Sequence, residues 1–170
     1  MARNLWSVLC ERITVDQRTN LISYLTCIEG VTTLQLPGTV PTLAIGTAWL
    51  REGDNDKAFV FRLVVVNPDN SEKVLMEGSQ EFASGQRARL GFVMDGFPIQ
   101  QTGQYVFRIE TKSDGNWEVR ATLPMDVGLQ TPAEQTRDSK ASATVSDVAK
   151  PKANKKRGGR TKSEKETGKG

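Results

Sequence analysis

Apolar and polar residues alternate along short segments between residues 5 and 123, and turn-forming residues separate those segments. This pattern is the strongest constraint on the fold. Alternation at period 2 places every second side chain on one face of an extended strand, whereas an amphipathic helix needs a repeat near 3.6. No segment sustains the helical repeat. Strands are expected at 5–13, 21–29, 31–36, 42–51, 58–66, 73–82, 87–94, 104–112 and 117–123. Thr14 to Asn20 reads as a polar turn, Gly30 as a bulge or tight turn, and Pro37-Gly38-Thr39-Val40-Pro41 as a chain break. Eight or nine strands without helices predict an all-β fold, an antiparallel β-sandwich.

Two hairpins can be taken to their register. In the last, Tyr105, Phe107 and Ile109 share one face, as do Trp117, Val119, Ala121 and Leu123. A two-residue loop at Asp114-Gly115 would set Ile109 against Arg120. A three-residue loop, Asp114-Gly115-Asn116, sets Ile109 against Ala121 and Phe107 against Leu123. It also pairs Lys112 with Glu118 and Glu110 with Arg120. Each such pair contributes about 0.2–1 kcal/mol, and a one-residue slip turns an apolar face to water, so the longer loop is expected. One hairpin earlier, a loop at 68–71 opposes Val65 to Val74 and Leu63 to Met76. Phe59, Phe61, Leu63 and Val65 then face inward with Val74, Met76 and Phe82, and Leu90, Phe92 and Met94 add a further row.

The pattern stops near residue 130. From Thr131 to Gly170 there is no Phe, Trp or Tyr. Residues 1–130 carry 12 Lys/Arg against 15 Asp/Glu, a net −3, while residues 131–170 carry 11 against 5, a net +6. The chain divides into a β-sandwich domain over 1–130, long enough for one core, and a disordered basic tail over 131–170. The tail's composition offers too little apolar surface to offset the entropy of ordering.

The sequence contains no histidine, which removes the commonest general acid-base group and metal ligand. It contains no Gly-x-Ser-x-Gly elbow and no Gly-rich phosphate loop leading into a helix. The expectation is a protein that is not an enzyme and needs no cofactor and no resident metal. The start has no apolar run long enough for a signal segment, since Glu11 and Arg12 interrupt it, and no stretch reaches the ~18 apolar residues of a membrane span. A cytoplasmic protein with reduced cysteines is expected.

Three features invite a chemical reading. Cys10 and Cys27 fall opposite one another if the first turn is centred between Arg18 and Thr19. This arrangement permits a redox pair or disulfide, and the plainer reading is two small buried hydrophobes. Asp54 and Asp56, with Asp114 from a turn expected at the same end, could approach a Ca²⁺, although Asp, Asn and Gly also suit tight loops for their own sake. Trp6, Trp49 and Trp117 could form an aromatic platform for a sugar or peptide, or could simply pack.

Leu9-Cys10-Glu11, Asp16-Gln17-Arg18-Thr19-Asn20, Ser23 and Glu29-Gly30, then Asn67-Pro68-Asp69 and Gly103-Gln104-Tyr105-Val106-Phe107, resemble a family of small bacterial proteins known only as a domain of unknown function. The resemblance covers about residues 5–127 and excludes the tail. It implies a β-sandwich and a bacterial, cytoplasmic origin. It transfers no functional residue.

The functional expectation is a non-enzymatic binding or interaction module. The body would meet a protein partner or a second copy of itself. Lys150, Lys152, Lys155, Lys156, Arg157, Arg160 and Lys162 in the tail would give weak, non-specific contact with nucleic acid or another polyanion. The tail has no aromatic side chain to stack on bases, so no sequence readout is expected. The alternative is a sandwich that binds carbohydrate or calcium at one loop end.

Overall fold

The computed structural model describes residues 2–53, 57–82 and 85–130. Nine strands are present among them: β1 (Ala2–Val15), β2 (Ile22–Cys27), β3 (Gly30–Thr33), β4 (Gly38–Arg51), β5 (Ala58–Val66), β6 (Glu72–Glu81), β7 (Arg87–Ile99), β8 (Gly103–Ser113) and β9 (Asn116–Leu129). They form a four-stranded sheet in the order β2-β1-β4-β7 and a five-stranded sheet in the order β3-β9-β8-β5-β6. The two inner faces make a single core, in which Leu43, Ile45 and Trp49 from the first sheet meet Phe61, Leu63, Phe107 and Ile109 from the second. Aromatic rings run through it. Trp49 lies 4.8 Å from Phe59, Phe61 5.4 Å from Phe92, and Phe97 5.2 Å from Phe107, centroid to centroid.

The antiparallel β-sandwich holds, with one parallel exception. β3 runs parallel to β9, pairing Gly30 with Asp126 and Val31 with Val127. Gly30 is thus neither bulge nor hairpin turn; it opens a short strand in the opposite sheet. Two hydrogen bonds carry the chain across. Ile28 N donates to Leu9 O at 2.9 Å in the first sheet, and Asp126 N donates to Glu29 O at 3.0 Å in the second. The expected break at 37–41 also narrows, because β4 already begins at Gly38. Pro41 fits there because β1 pairs with β4 only as far as Ala44, leaving residues 38–43 to pair with β7 alone.

Both hairpin registers are right in the core and wrong at one end. Ile109 opposes Ala121 and Phe107 opposes Leu123. Yet the loop is the two-residue Asp114-Gly115, with φ of 50° and 86°, the two positive values that a tight hairpin favours. A register shift between Ile109 and Glu110 reconciles the two, since Arg120 is an extra residue in β9. Lys112 therefore opposes Trp117, and Glu110 opposes Val119, in place of the charge pairs expected. In the β5–β6 hairpin Leu63 does oppose Met76, but a shift after Leu63 sets Val64, not Val65, against Val74. Val74 and Met76 are exposed on the edge strand β6 and do not join the core.

Beyond Cys10, β1 pairs only with β2. This part of the hairpin folds over the outer face of the first sheet. Leu43 and Ile45 point inward, so Gly46 between Ile45 and Thr47 faces outward, and the Tyr24 ring lies against it. A β-carbon at Gly46 would stand 2.0 Å from Tyr24 Cε1, and one at Gly91 would stand 3.2 Å from Ile13 Cδ1. Tyr24 also meets Trp6 edge-on, with centroids 5.2 Å apart. The two glycines give the flap room to lie flat, and under it Cys10 is fully buried on what would otherwise be an open sheet face.

Candidate functional site

At the end of the sandwich where β5 and β7 finish and β6 and β8 begin lies a hollow of about 330 Å³. Its floor is apolar: Val65, Leu75, Phe97, Pro98 and Tyr105. Asn67, Asp69, Lys73, Gln100 and Gln101 form its rim. Size and lining match the usual ligand site, an apolar surface with a few convergent polar groups.

The walls are held by local hydrogen bonds. Tyr105 is nearly fully buried, and its hydroxyl accepts from Gln100 N at 3.0 Å and Gln101 N at 3.3 Å and lies 3.3 Å from Gln101 O, to which it donates. This fixes the β7–β8 connection. Across the hollow, Asp69 Oδ1 accepts from Ser71 N at 3.0 Å and from Ser71 Oγ at 2.6 Å, and Asn67 Nδ2 donates to Ser71 Oγ at 2.9 Å. The Ser71 hydroxyl and amide hold the Asp69 carboxyl below the usual carboxylate range. Gly103, at φ 117°, brings the two loops together, and a β-carbon there would stand 3.0 Å from Pro68 Cβ. Among the described residues Asp69 is the one carboxylate on the rim, and the ammonium of Lys73 balances its charge.

The residues singled out in the sequence do not converge on this hollow. Asp114 belongs to the opposite end, where it lines a hollow with Ala2, Ala58 and Phe59. Asp54 and Asp56 lie outside the described residues, as do Lys150, Lys152, Lys155, Lys156, Arg157, Arg160 and Lys162. The three tryptophans share no surface. Trp6 is on the outer face of the first sheet, Trp49 is in the core, and Trp117 is half-buried on the outer face of the second. Cys10 and Cys27 are opposed as expected, with free thiols; Cys10 is buried and Cys27 exposed.

Two arrangements escaped the sequence reading. One is the Tyr105 hollow; the signal was available in a Tyr within the β8 pattern, whose buried hydroxyl needs partners. The other lies on the outer face of the second sheet. Glu110, only 4% exposed, receives Arg62 Nε at 2.6 Å and lies 3.1 Å from Arg108 Nε. Arg108 also holds Glu72 at 2.8 Å, and the Arg62 guanidinium stacks 4.4 Å above the Trp117 ring. Two arginines compensate the buried carboxylate, as its desolvation demands.

The family-model comparison is consistent with this fold. A family of unknown function, DUF6941, matches residues 5–127. The chain belongs to that family. The match begins and ends where the resemblance did, leaving the basic tail outside. No curated protein matches the chain. Among the described residues, no helix is long and apolar enough to cross a membrane, and no three His, Cys, Asp or Glu side chains are grouped to hold a metal ion.

Proposed function

We propose that the body is a non-enzymatic binding module and that the Tyr105 hollow is its ligand site. The observation that carries this reading is an apolar floor beneath a rim with no net charge and two adjacent primary amides, Gln100 and Gln101. Such a surface suits a neutral ligand with one apolar face and several hydroxyl groups. A sugar ring has that chemistry: its C–H face covers Leu75 and Pro98, the accessible part of the floor, and its hydroxyls meet the amides and Lys73. Of the two readings raised by the sequence, the hollow supports binding at a loop end.

The test is thermal unfolding against a panel of neutral mono- and oligosaccharides. A ligand at 100 times its Kd stabilises the folded state by about 2.7 kcal/mol. Gln100→Ala and Gln101→Ala should abolish the shift without lowering the unliganded Tm by more than a few degrees. If no sugar shifts Tm at millimolar concentration, the carbohydrate reading fails.

A second contact is proposed for the tail on the charge contrast alone. A segment of net +6 attached to a body of net −3 is suited to weak polyanion binding, without sequence preference, through Lys150 to Lys162.

A further inference from the structure

The two cysteines sit at the hinge of the flap. Cys10 is the last residue of β1 paired with β4, opposite Ala44, and it is also paired with Cys27 of β2. Past this point the hairpin leaves the sheet plane to cover Gly46 and Gly91. Thr26, next to Cys27, has φ of 55°, an unfavourable left-handed conformation for a β-branched residue. Such strain collects where a strand is forced to bend.

The hydrogen-bond pattern sets the backbone spacing at the two cysteines. Ile28 N donates directly to the carbonyl of Leu9 opposite it, so the adjacent Cys10–Cys27 pair occupies a non-hydrogen-bonded site. At such sites the Cα atoms lie roughly 4.5 Å apart and the side chains are closest. A disulfide accepts Cα separations of about 4.4–6.8 Å. The two sulfurs also differ in access, one exposed at the sheet edge and the other beneath the flap. Burial, and then the neighbouring Cys27, push the Cys10 thiol up in pKa, against a smaller opposing effect of a hydrogen bond with the Arg12 backbone. The exposed thiol is therefore the one that an oxidant meets, and the sheltered one waits beside it.

We propose that Cys10 and Cys27 form a reversible redox site that staples the flap at its hinge, with a small peroxide as the oxidant. The Cys27 thiolate attacks one oxygen of hydrogen peroxide. The O–O bond breaks, and Cys27 becomes a sulfenic acid as hydroxide leaves and takes up a proton. The Cys10 sulfur then attacks the Cys27 sulfur. The S–S bond forms, the Cys10 proton passes to solvent, and the sulfenic oxygen leaves as water. Two thiols and one peroxide yield one disulfide and two waters. A dithiol reductant reverses the change.

The experiment uses the full chain treated with about one equivalent of hydrogen peroxide, quenched, unfolded and alkylated. The oxidised protein should stay monomeric, lose both alkylation sites, and release a tryptic species joining peptide 4–12 to peptide 19–51 that dithiothreitol separates. Oxidation should raise Tm by several degrees, because the bridge restricts the unfolded chain. In Cys10→Ser, Cys27 should instead accumulate as a sulfenic acid trapped by dimedone. Both thiols remaining alkylatable overturns the proposal. So does wild-type protein that yields only interchain dimers or a Cys27 sulfinic acid. These readouts on the wild-type chain decide the matter even if the serine variant does not fold.

Discussion

The ring of Tyr24 occupies the space in which a β-carbon on residue 46 would stand, with Cε1 only 2.0 Å from that position. Gly46 is therefore needed for its lack of a side chain. Gly46→Ala should lower stability by about 1–3 kcal/mol, the usual cost of forcing an extra carbon into a packed site. Combining it with Tyr24→Ala should cost less than the sum of the two single changes. Gly91→Ala should be milder, under about 1 kcal/mol, because it meets only the movable tip of Ile13 at 3.2 Å. Urea unfolding of the four variants measures all of this.

Glu110 joins two arginines on the outer face of the second sheet. Glu110→Ala should cost about 1.5–3 kcal/mol, as expected for lost hydrogen bonds to charged groups. Arg108→Ala should cost less than Glu110→Ala, because Arg62 still neutralises the buried carboxylate at 2.6 Å. Equal losses in denaturant titrations would mean that Arg62 does not carry the main interaction.

Two turn carboxylates are expected to contribute to the acid limb of stability. Asp16 is held below the usual carboxylate range first by the Thr19 amide and then by the Arg18 amide, and Asp69 by the Ser71 hydroxyl and amide. A carboxyl whose pKa is lower in the folded than in the unfolded chain stabilises the fold above its unfolded value, about 3.9. That contribution is lost as pH falls through the folded value. Asp16→Asn and Asp69→Asn should each flatten the fall of Tm below about pH 4. Unchanged acid limbs in both would exclude these turns as its source.

The tail gives a salt signature. If about five to seven of its cations meet duplex DNA phosphates, log affinity should fall against log salt with a slope of roughly −4.5 to −6. Neutralising Lys155, Lys156 and Arg157 together should reduce the slope by about 2.7. Deleting residues 131–170 should abolish binding. Absence of retention on DNA at low ionic strength would leave the tail without this role.

Strand positions were legible because alternation is a local property, and nine segments read from it became nine strands. Register near the loops was less so. The apolar pairing of Ile109 with Ala121 and the Asp114-Gly115 turn appeared to exclude each other, and only the extra residue Arg120 lets both stand. A bulge leaves no mark in a period-2 pattern short of its tertiary cause. Sheet membership was harder still. Nothing in Gly30–Thr33 says that it pairs parallel with a strand some ninety residues later. The Tyr105 hollow was hidden for the same reason: its floor comes from four strands that only the finished topology brings together.

That parallel pairing bears on how the chain is made. β3 emerges early in synthesis, but its hydrogen-bonding partner β9 ends at Leu129. A nascent chain that has reached only β8 holds a strand edge with nothing to pair with, because Glu29 and Gly30 take their partner, Asp126, from β9. Closure of the body must wait for its last strand, so folding is limited by long-range pairing and belongs to the slow, non-local class. Until then β3 and the unfilled edge of β8 are exposed together, and this is the interval in which a chaperone, or another copy of the chain, would find them.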